Sequence, residues 1–399
     1  MIRDSGDGDG RWGRGGVNLP ALRGHNEALL LDLLRGAGPG GMGRTELAAR
    51  TGLTPQAVSK ITARLAAEGL VAEAGRAAST GGKPRTLLRL VPEARHAVGV
   101  HLDRDELRAV RVDLAGGVVA ESGGPLDFGA GPDVVVEAVV RAVARVCDAE
   151  GLAPLLGVGV AAPGPLDHRA GVMGRVTGFP QWEGFPLREV LEERLGLPVL
   201  LDKDTNAGAA GAGRGVGPGP RAGERSGFGQ GLGSGSGSGD HGSDHGSDHG
   251  SGSGTSVYLH VGTGLGAGLR LDGAVYRGAR SAAGEFGHQV LDLAGPPCRC
   301  GGRGCAEVLC LAAVARGDLP GAARILGEGA ANLVALLDVD RVLLGGRVVA
   351  AAPEVFVAGV RAVLAARALT PNPPTVALAG TGVAEGAAEL TLAPFFGHT

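Results

Sequence analysis

The 399-residue sequence predicts an α/β body of two lobes behind a small all-α/winged helix-turn-helix head. Three patterns lead there. Residues 22–91 read as helix, short helix, turn, helix and hairpin. From Ala97 on, short apolar strands alternate with helical stretches, and this happens twice, as in layered α/β lobes. Between the two runs lies Gly215–Gly254, a Gly/Ser tract with the composition of a flexible linker.

The head begins with Leu22, Leu29, Leu30, Leu33 and Leu34, which share one helical face. GAGPGGMG, residues 36–43, ends that helix. A short helix around Thr45–Arg50 and a turn at Gly52 follow. Thr54 is a good N-cap and Pro55 a good first residue for the next helix. Val58, Ile61 and Leu65 line its inner side, which turns Gln56, Ser59, Lys60 and Ala63 outward. Leu70-Val71 and Thr86–Val91 form a hairpin whose tip is RAASTGGKPR.

In a winged helix-turn-helix the last helix enters the major groove. Gln56 and Ser59 suit base edges, while Lys60 and Arg64 suit guanine or phosphate. Thr54 and the helix N-terminus suit a backbone phosphate. Lys83 and Arg85 on the wing suit a minor groove or its phosphates. Residues 1–92 hold 13 Lys+Arg against 8 Asp+Glu, whereas the whole chain carries −3. A basic head on an acidic body fits one domain made for a polyanion.

The body expects strands at AVGVHL, ELRAVRVDL and GVVAES, then a helix over Asp133–Glu150 and a buried strand LLGVGVA. A helix at Leu187–Leu195, a strand PVLLD and a helix from Thr205 complete the first lobe. The second starts with TSVYLHVGTGLGAGLRLDGAVY and includes a helix at Gly321–Leu337 and the strand RVLLGG.

Within GEFGHQVLDLAGPPCRCGGRGCAE, residues 284–307, His288 precedes a C-x-C-x4-C run, Cys298, Cys300 and Cys305. Three thiolates and one imidazole are the donor set of a tetrahedral structural Zn²⁺. Cys147 and Cys310 read as packing residues, with Cys310 a possible spare ligand. His241, His245 and His249 repeat in the Gly/Ser tract, where nothing preorganises them. The cysteine usage and the lack of an apolar signal core or 18-residue apolar run point to a cytoplasmic protein without a membrane partner.

These motifs resemble the ROK family of bacterial transcriptional repressors and sugar kinases, which have the actin-like ATPase fold. GEFGH…CRCGGRGCAE, HVGTGLGAG, LLDKDTNAGAAG and VLLGG carry the resemblance, and the winged head with its GGKP is similar to that of the repressor branch. Composition reads residues 1–19 as a disordered arm and 213–254 as a flexible insertion; the resemblance covers most of the rest and implies a DNA-binding domain at 20–92, a first lobe at 93–212 with 380–399 and a second lobe at 255–379. It implies sugar contacts at Asp204, Glu285, His288 and Glu307, Asp204 standing where the kinases carry their general base.

Gly262, Thr263, Gly264 and Gly266 offer backbone N–H groups to a phosphate. The family's other phosphate loop, D-x-G-G-T, reads His101–Asp105, HLDRD, here. Asp103 and Arg104 replace both glycines, so side chains obstruct a polyphosphate and carboxylates repel it. Lys203 and Gly178 stand where sugar-contacting asparagines are expected. The expectation is a regulator rather than an enzyme: a homodimer or higher oligomer on a palindromic operator, answering to a sugar or sugar phosphate, with Asp204 a vestigial base. An ATP-dependent sugar kinase with a fused head is the alternative.

Overall fold

The computed structural model describes residues 19–76, 85–147, 154–212 and 254–398. Lys83 and most of the wing tip, the N-terminal arm and the histidine repeat lie outside the described residues. Two compact units are present. One comprises the head through Val91 together with Phe395–His398, and the other comprises Pro92–Pro394.

The head contains α1 (Leu19–Ala37), β1 (Met42–Gly43), α2 (Arg44–Thr51), α3 (Pro55–Ala67), β2 (Val71–Arg76) and β3 (Thr86–Leu90). Thr54 caps α3 as expected, its hydroxyl accepting from the Ala57 amide at 3.2 Å. Gly52 ends α2 in the left-handed region, φ 68°, where a side chain is strained. The inner face of α3 is Val58, Thr62 and Leu65, with Ile61 only half-buried. Thr62 is tolerated inside because it accepts from Arg44 Nε at 3.2 Å and donates to the Ser59 carbonyl at 3.2 Å. The sheet order is β1-β3-β2, and β1 lies in a stretch whose glycines suggested only a loop.

The body repeats one motif. Its first lobe has β4 (His96–Leu102), β5 (Glu106–Asp113), β6 (Val118–Pro125), α4 (Pro132–Cys147), β7 (Leu155–Ala162), a small hairpin β8 (Leu166–Asp167) and β9 (Val172–Met173), α5 (Leu187–Leu195), β10 (Val199–Lys203) and α6 (Asp204–Ala212). The second has β11 (Ser256–Val261), β12 (Leu265–Leu271), β13 (Ala274–Tyr276), α7 (Ala306–Ala315), α8 (Leu319–Leu337), β14 (Arg341–Gly345), α9 (Arg347–Ala351), α10 (Pro353–Ala366), β15 (Thr375–Leu378) and α11 (Val383–Leu392). The sheets are ordered β10-β7-β4-β5-β6 and β13-β12-β11-β14-β15. Each is an antiparallel three-strand meander followed by two parallel strands.

Both sheets are covered by apolar helix faces. On α4, Val135, Val136, Val139, Ala142, Val143 and Val146 are buried at helical spacing. Trp182 is fully buried, stacks on Phe128 at 4.4 Å and donates its indole N–H to the Phe128 carbonyl at 3.1 Å. The second core centres on Phe356, Leu326 and Leu259.

Small residues join the lobes. Ala207, Ala209, Ala387 and Ala161 form a cluster with Tyr258 and Leu343, using α6 and α11. Here backbones touch. A Cβ on Gly99 would overlap the carbonyl oxygen of Ala384, and one on Gly159 that of Ala387. Gly99→Ala is therefore expected to lower the body's unfolding free energy by about 1–3 kcal/mol in urea titration. Gly124→Ala, with nothing within 4 Å of the added carbon, should change it by less than about 0.5 kcal/mol. Equal effects would contradict this packing.

Candidate functional site

A cleft of about 100 Å³ opens between the lobes and is lined by Asp204, Glu285, His288 and Glu307. All four residues expected to contact sugar therefore meet. Asp204 opens α6 at the end of β10, Glu285 precedes a 3-10 turn that ends in His288, and Glu307 lies in the first turn of α7. Poor solvation raises the Asp204 carboxyl above its ordinary range, against the pull of His260, the Thr205 amide and Lys203. Glu307 Oε2 accepts from the Leu265 amide at 3.0 Å.

Lys203, unexpected in this position, is almost fully buried. Its Nζ donates to Glu285 Oε1 at 2.8 Å and to the Ala283 carbonyl at 2.7 Å. The lysine thus spans from the first lobe to the second and partly neutralises Glu285. Neighbouring Asp202 accepts from Arg277 Nε at 2.7 Å and Asn206 at 2.8 Å. Thr205 also lines the cleft, and its buried hydroxyl has no partner among the described residues. Neither Lys203's clamp nor Thr205 could be read from local pattern, because both depend on contacts between lobes.

The donor atoms of His288, Cys298, Cys300 and Cys305 lie within 4.8 Å of one another. Cys298 Sγ is 3.8 Å from His288 Nδ1, and Cys300 Sγ is 3.7 Å from Cys305 Sγ. Four soft donors converging so closely can hold one metal ion. Burial pushes the Cys305 thiol up to about 12, so an ion's charge is needed to ionise it at neutral pH. The Gly302 amide, by contrast, lowers Cys300. Cys310 is not among the four. It lies in the core, donates to the Ala322 carbonyl at 3.7 Å, and burial pushes its thiol up to about 12. Half-buried Cys147 packs against the first lobe's core.

The turn Asp103–Asp105 and the turn Gly262–Gly264 occupy equivalent positions, each joining the first two strands of its lobe. They meet. Thr263 Oγ1 donates to Asp103 Oδ1, and the Arg104 amide donates to the same oxygen at 2.7 Å. Asp103 Oδ2 faces Gly262, lying 3.3 Å from where a Cβ would sit. Arg104 Nη1 reaches the Thr263 carbonyl at 3.4 Å, and Arg347 Nη2 reaches Asp105 Oδ2 at 2.8 Å. Burial raises the Asp103 carboxyl, but these hydrogen bonds, with His101 and His260 nearby, hold it below its usual range. Burial, with His260 beside it, lowers His101 to about 4.

Beyond Asp103 and His260 lies a second cavity of about 430 Å³, walled by Gly345–Gly346 and Gly380–Gly382. Asp103 and His260 line both spaces, so they stand as the partition between them. Gly262, Thr263 and Gly264 form the turn between β11 and β12, and Thr263, Gly264 and Gly266 line the cleft.

On the head, Gln56, Ser59 and Lys60 are exposed together on the outer face of α3. Arg64 is also exposed but ion-paired with Glu27 of α1, so it ties two helices. The Thr54 hydroxyl is engaged in its cap. Arg85 is exposed immediately before β3.

A model of the ROK family matches residues 98–215 and 243–318. A ROK hexokinase from Thermus thermophilus is 30% identical, covering 74% of this chain and 97% of the hexokinase, with a TM-score of 0.52. The chain belongs to the ROK family. Among solved ROK proteins, a transcriptional regulator described as a homologue of Escherichia coli MLC shares the fold over 93% of this chain and 96% of its own, at TM-score 0.69 and 20% identity. The chain is 26% identical to a xylose repressor of Caldicellulosiruptor bescii over 66% of this chain and 58% of the repressor. It is 27% identical to the dual regulator NagC of Escherichia coli K12 over 73% of this chain and 64% of NagC. Matches with the first curated repressors thus span roughly three-fifths of their lengths, 58–65%.

The convergence at His288 and the three cysteines predicts one tightly held equivalent of a thiophilic divalent metal. Elemental analysis after gel filtration should find it in the unaltered protein. Cys300→Ser should weaken retention by more than the roughly 10–100-fold seen when a ligand's outer partner is lost. A metal-free wild-type protein under reducing conditions would contradict the assignment.

Proposed function

We propose that this ROK protein is a sugar-responsive DNA-binding transcriptional regulator acting as a repressor. Residues 20–92 bind duplex DNA, and the two lobes, 93–212 with the returning α11 and 255–379, hold the effector. Gln56, Ser59 and Lys60 face base edges and phosphates of the major groove. Arg85 and Lys83 extend the contact along the wing. Thr54 and Arg64 act more through the fold: one caps the recognition helix and the other braces it. A homodimer on a palindromic operator would place one recognition helix in each half-site.

In the cleft, Asp204, Glu285 and Glu307 are acceptors for the hydroxyls of a sugar, and His288 is a donor. The xylose repressor, and the N-acetylglucosamine repressors of Escherichia coli that are 27% identical to this chain, support that ligand class. Zn²⁺ held by His288, Cys298, Cys300 and Cys305 would brace the loop carrying Glu285. His288 can serve both, since one ring nitrogen can bind metal while the other faces the ligand. The sugar alters DNA binding only insofar as it prefers one arrangement of the chain over another.

Asp103 carries the non-enzymatic part of the proposal. Phosphoryl transfer depends on positioning and charge stabilisation of phosphates. A donor in the larger cavity would have to pass its phosphoryl group across the partition to a hydroxyl near Asp204. The Asp103 carboxylate lies there, bonded to the glycine turn that would otherwise receive the phosphate. Asp204 itself, and the 30% identity with a hexokinase, favour the alternative, an ATP-dependent sugar kinase.

The test is selection of genomic DNA fragments on the full-length protein, followed by sequencing. A palindromic motif should emerge, and Lys60→Ala should weaken its binding by about tenfold, as for loss of 1–3 kcal/mol at a base or phosphate contact. Release by D-xylose, N-acetylglucosamine or their phosphates would identify the effector. No enriched motif, together with sugar phosphorylation by ATP that disappears in Asp204→Asn, would establish the kinase instead.

A further inference from the structure

Two tight turns of the body meet at the edge of the cleft. One follows β9: the Phe179 amide donates to the Val176 carbonyl at 2.9 Å, with Thr177 and Gly178 between them. Thr177 lines the cleft, and Gly178 holds φ 87°, which suits glycine at the third position of such a turn. The other turn lies in the cysteine loop. The Gly301 amide donates to the Cys298 carbonyl at 3.0 Å, and the Cys298 amide donates to the Gly302 carbonyl at 2.8 Å. Arg299 therefore stands at the tip of a turn that its own backbone closes. Cys298 places this turn beside His288 of the cleft wall.

The Arg299 side chain crosses to the first turn. Its Nη1 lies 3.7 Å from where a Cβ on Gly178 would sit. A sugar-contacting asparagine is expected at Gly178, so the guanidinium borders the space of the missing amide. At the next residue, the Arg104 guanidinium carbon lies 6.0 Å from the centre of the Phe179 ring, and Arg104 itself lines the cleft. Two guanidiniums, one from each lobe, thus border the dipeptide 178–179. Among the described residues neither is ion-paired, whereas Arg277 and Arg347 meet Asp202 and Asp105.

The rest of the cleft has the opposite sign. Asp204, Glu285 and Glu307 can accept from hydroxyls but repel an anion. Lys203, beside them, is engaged by Glu285. A sugar with an acidic substituent satisfies both regions in one orientation, with its hydroxyls inward and its anion at the edge. The planar fork of arginine suits a carboxylate or a phosphate, with two N–H groups donating to two oxygens.

We propose that Arg299, assisted by Arg104, is a specificity residue that selects a sugar bearing a carboxylate or phosphate over the neutral parent sugar. The proposal deepens the sugar-responsive reading and rests on it, but its test measures binding alone, without DNA.

Isothermal titration of the full-length protein compares D-glucose with D-glucuronate and D-glucose 6-phosphate, and N-acetylglucosamine with its 6-phosphate. At least one acidic sugar should bind about tenfold or more tightly than its parent, as for one charge-assisted contact. Glucuronate and the phosphates tell carboxylate from phosphate. The preference should shrink in 0.5 M salt, where Debye screening shortens to about 4 Å. Arg299 is exposed, so Arg299→Gln leaves the core intact while removing the charge. It should cost the acidic sugar about tenfold and the neutral parent less than about twofold, with metal content equal to that of the unaltered protein. Equal losses for both sugars, or loss of metal, would make Arg299 a brace of its loop and overturn the proposal. So would a neutral parent that binds as tightly as its acidic derivative, inorganic phosphate that binds as tightly as the acidic sugar, or no binding by any of these sugars. The regulator reading stands apart from these outcomes and falls only if no operator motif is selected.

Discussion

Two hairpin turns meet over one carboxylate, and the character of the body follows from that contact. The repeated strand topology brings Asp103 of the first lobe against Gly262 and Thr263 of the second. An open glycine turn presents N–H groups to an anion from solution. Here Asp103 meets the turn through the Thr263 hydroxyl, while the Gly262 amide donates to the Gly264 carbonyl, and hydrogen bonds hold the carboxyl below its usual range despite burial. Arg104 on the Thr263 carbonyl and Arg347 on Asp105 add further ties between lobes. Repulsion between like charges weakens phosphate binding beside Asp103, which already engages the Thr263 hydroxyl. Asp204, Glu285, His288 and Glu307 line the cleft on the other side of this contact.

Short-range chemistry was legible in the sequence. Thr54-Pro55 marked the start of α3, and the outward set Gln56, Ser59, Lys60 and Ala63 is exposed because a helical step of 100° follows from the backbone alone. The four donors at 288–305 converge because glycines let a short loop close, and that too is local. By contrast β15, α10 and α11 have no place among the elements the sequence predicts. On α11, VAEGAAELTL has no apolar stripe, since the helix is buried on several sides by sheet and helix together. A helix without a solvent face has no period to detect. The sequence also gave no sign that the chain leaves the first lobe after Pro394, since Phe395 and Phe396 could pack anywhere.

Long-range pairs account for the other differences. Arg64 looks like a groove contact until Glu27, a distant acid in sequence, is found beside it. Lys203 looks like the loss of a sugar contact, yet it clamps Glu285 and Ala283 across the cleft. Thr62 replaces Ile61 as the most buried polar or branched residue in its turn of α3 because Arg44 supplies a hydrogen bond. In each case side-chain type set what could happen, and tertiary neighbours chose among the options.

The occupied turn is tested most directly by equilibrium titration of the full-length protein with Mg²⁺ and AMPPNP, a non-hydrolysable ATP analogue, with and without D-xylose or N-acetylglucosamine. If Asp103 holds the anion position, no saturable binding appears up to millimolar analogue under any of these conditions. Saturation in the micromolar range, with the lobes of the unaltered protein receiving the triphosphate, would contradict the account.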